Sequence, residues 1–175
     1  MIENKKNIRN NIPNFINDLV DIMQNSMNLA KNSSRAMRKI KSDNSVVTEG
    51  DIKVDDFIYK NLVKLNFKFP IISEERAYDK ENFFSQHYWI IDPIDGSDSF
   101  FNGKEEYTVN ICLIENGFPV FGIIGHPPSN KYWYGFKDSK YNNFKNLSSS
   151  TTFVKTPKYI LSKRIDSDTK KFISL

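Results

Sequence analysis

The sequence predicts a layered α+β fold, helices laid on a mainly antiparallel sheet, and three observations carry that prediction. Ile12, Phe15, Ile16, Leu19, Val20, Met23, Met27 and Ala30 follow the i, i+3, i+4, i+7 spacing of an amphipathic helix. Residues 109–115 and 118–125 are apolar runs joined by Asn116-Gly117, the strongest short signal for a β-hairpin. Residues 88–91 are a β-prone apolar run that ends in D-P-I-D-G-S, a buried strand running into a turn.

In chain order, the first helix is expected over about residues 12–30, with Pro13 in its first turn. Its polar face carries Asn and Asp more than Lys and Arg, which favours a core-facing helix over a membrane-surface one. Residues 33–47 are polar and read as irregular. Thr48 is the N-cap of a second helix running to about Leu65, with an inner stripe of Val54, Phe57, Ile58, Leu62 and Leu65. Asp51 completes a capping box in which Asp stands where Glu is usual. A charge favoured by a helix N-terminus accounts for Asp51 by itself; the alternative is a carboxylate that orients or deprotonates water. Residues 69–73, F-P-I-I-S, form a short strand delivering Glu74 and Glu75. Residues 76–87 read as an exposed loop or short helix, with His87 a surface or edge residue.

At the central motif, Pro93 has no N–H for a ladder, so the sheet is expected to stop at Asp92. Asp95 follows three residues later, Gly96 permits a tight turn, and Ser97 suits an N-cap. Hard oxygen ligands on a short loop suit Mg²⁺, and a Gly-Ser turn opening a helix offers N–H groups to phosphate. The plainer alternative is an acidic surface loop after a core strand. If the strand before Glu74 ends beside this one, three carboxylates share a pocket, repel one another and call for cations. Residues 100–107 read as a connecting loop and residues 131–136 as a third antiparallel strand. Cys112 reads as buried filler rather than a nucleophile. His126, before Pro127-Pro128, has no second His or Cys at metal-ligand spacing and reads as structural. Residues 138–158 read as a polar loop or hairpin, residues 159–162 as a strand, and Ser167-Asp168 as a helix start.

The chain has 175 residues and a net charge of +4, with Lys and Arg spread along it rather than clustered. That spread argues against a nucleic-acid surface, while a mildly basic protein can steer small anions toward itself. A single cysteine excludes an internal disulfide framework, so a reducing compartment such as the cytoplasm is expected, with peripheral association with the inner membrane left open. No apolar run reaches transmembrane length, and the first ten residues lack the apolar core of a signal peptide.

The string W-I-I-D-P-I-D-G-S resembles, almost letter for letter, the signature of the inositol monophosphatase superfamily of metal-dependent phosphatases. K-S-D-N-S-V-V-T-E-G-D-I and N-G-K-E-E-Y-T-V-N-I-C-L-I-E-N-G resemble its CysQ-type 3′(2′),5′-bisphosphate nucleotidase branch. S-E-E resembles the family's Glu motif, whose first Glu is a ligand, and this singles out Glu74 with Glu75 beside it. The resemblance covers nearly the whole chain. It implies the N-terminal portion of the sugar-phosphatase-like fold: a metal-binding α+β subdomain over residues 1–158 and the start of a truncated α/β subdomain over residues 159–175.

The activity it implies is Mg²⁺-dependent hydrolysis of a phosphate monoester, with 3′-phosphoadenosine 5′-phosphate as substrate. Glu74, Asp92 and the Ile94 carbonyl would hold one Mg²⁺, and Asp92 with Asp95 a second. Asp51 and the Ser97 hydroxyl would orient and deprotonate water, and Glu74, Gly96 and Ser97 would face the substrate. Where the family has Thr after D-G, this chain has Ser97, which keeps the hydroxyl. Family members carry a W-D-x-A-A segment whose Asp is a further ligand; here Trp89 precedes Ile90 and Trp133 precedes Tyr134. The chain is therefore expected to be truncated, to show little activity alone, and to associate with a missing C-terminal half or with itself. An inositol monophosphatase-type sugar phosphatase and an inactive remnant are the alternatives.

Overall fold

Apolar residues every three or four positions make a helix of residues 8–32, and the face they share packs on a sheet. The computed structural model describes residues 8–40, 46–65, 67, 69–77 and 85–136. The chain divides into two units, Met1–Phe144 and Lys145–Leu175, and every described residue lies in the first. The strand and helix expected beyond residue 138, and most of the loop before His87, fall outside the described residues.

Helix α1 (Ile8–Asn32) is followed by strands β1 (Met37–Ile40) and β2 (Val46–Thr48), helix α2 (Glu49–Lys64), and strands β3 (Ile71–Ser73) and β4 (His87–Asp95). The short helix α3 (Ser97–Phe101), strands β5 (Thr108–Glu115) and β6 (Phe118–His126), a 3-10 turn at Pro127–Ser129, and β7 (Lys131–Phe136) complete the described elements. β1 and β2 pair with each other. The other five form one sheet in the order β3-β4-β5-β6-β7, antiparallel except for the parallel pair β3–β4. Residues 74–86 supply the dozen or so residues that a parallel connection needs.

The expected stripe of α1 is buried at Leu19, Met23, Met27 and Ala30, joined by Ile22. Helix α2 buries Val54, Ile58 and Leu62. Both helices meet the face of the sheet built from Trp89, Ile91, Val109, Ile111, Leu113, Phe121 and Ile123. Side chains alternate along a strand, so Tyr88 and Ile90 turn to the opposite face, where they join Ile72, Cys112 and Ile114 in a second, smaller cluster. Burial on both faces is why residues 88–91 are apolar throughout. Asn116 (φ 51°) and Gly117 (φ 79°) form the β5–β6 turn with both central residues at positive φ, the twist that matches the flanking strands.

The structure corrects five local expectations. Helix α1 starts at Ile8, so Pro13 lies in its second turn rather than its first. Residues 33–47 are not irregular throughout: β1 and β2 pair there, and β1 shows no burial rhythm because all four of its residues are exposed. Strand β4 does not stop at Pro93, because the missing N–H falls where the ladder is already interrupted. Phe100 and Phe101 belong to the helical turn α3 rather than to the connecting loop expected over residues 100–107. His87 is buried at 7% exposure, its ring stacked on Phe69 at 4.9 Å and its Nε2 3.2 Å from Glu115 Oε1. Glu115 is its cross-strand neighbour, a partner invisible until the register is known. Among the described residues no helix is long and apolar enough to cross a membrane.

Candidate active site

Helix α2 begins with a closed capping box. Thr48 is extended (φ −101°, ψ 171°), and its Oγ1 accepts from the N–H groups of Gly50 (3.1 Å) and Asp51 (3.3 Å). Asp51 Oδ2 accepts in return from Thr48 N (2.8 Å) and Thr48 Oγ1 (2.5 Å). This satisfies backbone donors that a helix start would otherwise leave without partners. It also fixes the rotamer of Asp51, which is 1% exposed, and leaves Oδ1 to point elsewhere. Ser97 Oγ donates to that second oxygen across 2.8 Å.

Ser97 is brought there by the turn before it. Gly96 adopts φ 94°, ψ 36°, and is itself the N-cap of α3, so Ser97 is the first helical residue rather than the cap expected of it. Its hydroxyl is thereby released from capping. The single hydroxyl proton is shared between Asp51 Oδ1 and the Ile94 carbonyl, 2.9 Å away.

The carboxylates come from the adjacent ends of β3 and β4. Ser73 pairs with Ile91, and Glu74 N donates to Ile91 O at 3.4 Å, so Glu74 stands beside Asp92 in sequence register. Opposite β5, Asp92 pairs with Asn110 and Asp95 with Thr108, a shift of one residue that marks a bulge holding Pro93 and Ile94. In a regular strand, residues three apart face opposite sides; one extra residue lets Asp92 and Asp95 face the same side. Asn110 Nδ2 makes a long 3.5 Å contact to Asp95 Oδ2. Glu74 and Asp95 are exposed and Asp92 is half-buried.

The structure thus joins Asp51 to Ser97 directly, and brings Glu74, Asp92, Ile94, Asp95 and Gly96 to the adjacent C-terminal ends of β3 and β4. It does not gather the acidic side chains: among the described residues, no three Asp, Glu, His or Cys side chains are grouped so as to hold a metal ion. The donor chemistry fits a hard cation all the same, being carboxylate and backbone carbonyl oxygen throughout. Cys112 lies in the β5 wall, and burial raises its thiol pKa, which suits filler and not a nucleophile. His126 is structural, its Nδ1 2.7 Å from Ser129 Oγ and its Nε2 3.0 Å from Glu105 O.

The sequence reading missed a second network one helical turn from Asp51. Asp55, 3% exposed, accepts from Ser73 Oγ and lies 2.5 Å from Arg76 Nε. Arg76 also pairs with Asp56 and lies over the Tyr59 ring at 4.1 Å. The available signal was an acid at position 55 inside the apolar stripe Val54, Ile58 and Leu62, since a buried acid needs a partner.

Known proteins resemble this one in sequence and in fold. The 3′(2′),5′-bisphosphate nucleotidase CysQ of Buchnera aphidicola is 38% identical over 108 residues, which are 60% of this chain and 40% of that protein. The protein of the same name from Haemophilus influenzae is 30% identical over 128 residues, 68% of this chain and 47% of its own length. The chain therefore spans less than half the length of these relatives. The extragenic suppressor protein suhB of Bartonella henselae superposes with a TM-score of 0.63 at 25% identity, over 71% of this chain and 49% of that one. CysQ of Bacteroides thetaiotaomicron, described as a bacterial member of the inositol monophosphatase family, gives 0.60 at 22% identity, over 89% and 65%. The layered arrangement of helices on a mainly antiparallel sheet is thus a known fold. The inositol monophosphatase family model matches residues 12–173, which takes in the capping box, the strand ends and the bulge together, and the chain belongs to that family.

Proposed function

We propose that this chain provides the metal-binding and water-activating residues of a phosphate monoester hydrolase, with 3′-phosphoadenosine 5′-phosphate as substrate. The observation that carries the reading is the 2.8 Å hydrogen bond from Ser97 to the buried Asp51, made beside the parallel strands β3 and β4, with Glu74 just past the end of β3 and Asp92 and Asp95 toward the end of β4. Asp51 is 1% exposed and its Oδ1 accepts from the half-buried Ser97 hydroxyl, which sets a carboxylate behind that hydroxyl as a proton acceptor. Ser97 Oγ can accept from a water while its own proton moves toward Asp51 Oδ1. Thr48 holds the other carboxylate oxygen, so Asp51 cannot turn away.

Glu74, Asp92 and the Ile94 carbonyl are the residues that would hold one Mg²⁺, and Asp92 and Asp95 a second. Bound Mg²⁺ supplies positive charge that acidifies water and offsets charge developing on the phosphoryl oxygens. The Gly96 and Ser97 N–H groups would bind phosphate, and Glu74 would border the substrate. The choice of nucleotide is supported by the curated relatives, which are named as 3′(2′),5′-bisphosphate nucleotidases. Metal binding is the first readout, because it tests the ligands directly.

Calorimetry should show Mg²⁺ binding that disappears in Asp92→Asn; equal binding by both would overturn the metal assignment. Phosphate release from 3′-phosphoadenosine 5′-phosphate should exceed that from inositol 1-phosphate. It should fall about a hundredfold or more in Asp51→Asn, the usual contribution of a general base. An undiminished rate in that variant would remove Asp51 from the chemistry.

A further inference from the structure

We propose that Asp55 is a positioning residue, which together with Ser73 and Arg76 sets where Glu74 stands relative to Asp51 and Ser97. The inference rests on the reading of Glu74 as a metal ligand. Residues four apart on a helix lie on one face, so α2 presents Asp51 and Asp55 side by side. Asp51 grips the loop after β4 through Ser97. Asp55 grips the end of β3 through Ser73 and Arg76, the residues on either side of the Glu74-Glu75 pair. One rigid helix thereby references both loops that bear the candidate ligands.

The end of β3 needs such a hold. The strand is three residues long and, among the described residues, lies at the sheet edge with β4 as its one neighbour. Beyond it, the backbone bond from Glu74 N to Ile91 O is long, at 3.4 Å. Ser73 is 1% exposed, and its hydroxyl also accepts from Glu75 N at 3.2 Å, so one oxygen links Asp55 to the backbone just past Glu74. The Arg76 guanidinium is itself braced, by Asp55, by Asp56 and by the Tyr59 ring, all on α2. An amide at position 55 offers one acceptor oxygen to two donors, Ser73 Oγ and Arg76 Nε, so one of them loses its acceptor and the Glu74 turn loses one of its holds.

The test measures Mg²⁺ affinity by calorimetry, and amide hydrogen exchange, in wild type, Asp55→Asn, Ser73→Ala, Arg76→Ala, Arg76→Lys and Asp92→Asn. Outer partners of metal ligands typically govern affinity by about ten- to a hundredfold. We therefore expect at least a tenfold loss of affinity in Asp55→Asn and Ser73→Ala, with faster exchange at Glu74 and Glu75 and unchanged exchange at Gly50 and Asp51. Arg76→Lys, which keeps the charge, should retain most of the affinity that Arg76→Ala loses. Wild-type affinity, within twofold, in folded Asp55→Asn and Ser73→Ala would overturn the proposal even if Asp92→Asn abolishes binding. If Asp55→Asn fails to fold, Ser73→Ala decides alone, since it removes only one oxygen. No Mg²⁺ binding by wild type, or undiminished binding by Asp92→Asn, would instead sink the metal reading and this proposal with it.

Discussion

Gly96→Ala tests the geometry of the central turn, and a second glycine supplies its control. Gly96 sits at φ +94°, where an L-residue is strained by about 1–2 kcal/mol. A Cβ there would also stand 2.6 Å from the Glu106 carbonyl oxygen and 3.3 Å from Tyr107 Cα. Those are backbone atoms, so no side chain can swing aside, and overpacking of this kind costs a further ~1–3 kcal/mol. Gly117 shares the strain, at φ +79°, but a Cβ there meets nothing within 4 Å. Gly117→Ala should therefore cost only the conformational part, and the difference between the two variants isolates the close approach. Urea unfolding at pH 7 should give about 2–5 kcal/mol for Gly96→Ala against about 1–2 kcal/mol for Gly117→Ala. In thermal unfolding Gly96→Ala should lower Tm by roughly 5–15 °C. Because Gly96 joins Asp95 to Ser97, Gly96→Ala should also weaken Mg²⁺ binding, and Gly117→Ala should not. Equal destabilisation by the two substitutions would show that the Glu106 contact does not constrain the turn.

Two further outcomes are expected. Thr48→Ala removes a side chain that accepts twice and donates once; it should cost about 1–2 kcal/mol, the usual worth of a strong N-cap, while Thr48→Ser keeps most of it. Equal unfolding midpoints for the alanine variant and wild type would contradict this. Burial raises both the Cys112 thiol and, with Arg35 opposing it, the Tyr107 phenol. Each is neutral when protonated, so the unfolded chain loses these protons first. Their contribution to stability is whole below pH 9.0, the ordinary thiol value, and is lost as pH rises through the raised folded values. The urea midpoint should fall as pH rises above 9.0, and less steeply in Cys112→Ala; a rising midpoint would refute the assignment.

What could be read from sequence was whatever carries its own period or its own chemistry locally. The capping box marked Thr48 and the apolar stripe marked Leu65 as the ends of α2, and the structure places N-cap and C-cap on those two residues. Asn116-Gly117 marked the hairpin because both residues tolerate positive φ. Strand β1 has no such mark: its residues are all exposed, so no alternation is written into them. Pro93 has the local chemistry of a strand end, a missing N–H and a fixed φ. A bulge makes that N–H unnecessary, and a bulge is a property of two strands.

Asp51 shows where local reading ends. The capping box and the helix dipole each explain an acid at that position, and both explanations hold in the folded protein. They engage Oδ2 and the helix start; neither predicts what Oδ1 does. That oxygen is committed by Ser97, 46 residues away in sequence, once Gly96 rather than Ser97 caps α3. The resemblance paired Asp51 with Ser97 without saying how two residues so far apart meet, and the fold supplies the route: α2 packs against β4, and the bulge in β4 turns the chain back over the start of the helix. Asp55 had no such motif to mark it. Its partners lie beyond Leu65, Ser73 at the end of a three-residue strand whose parallel pairing depends on the whole sheet and Arg76 just after it, so its role becomes visible only in the folded chain. Residues whose chemistry depends on one neighbour in sequence can be assigned from sequence, whereas those that align two loops against a common helix require the tertiary structure.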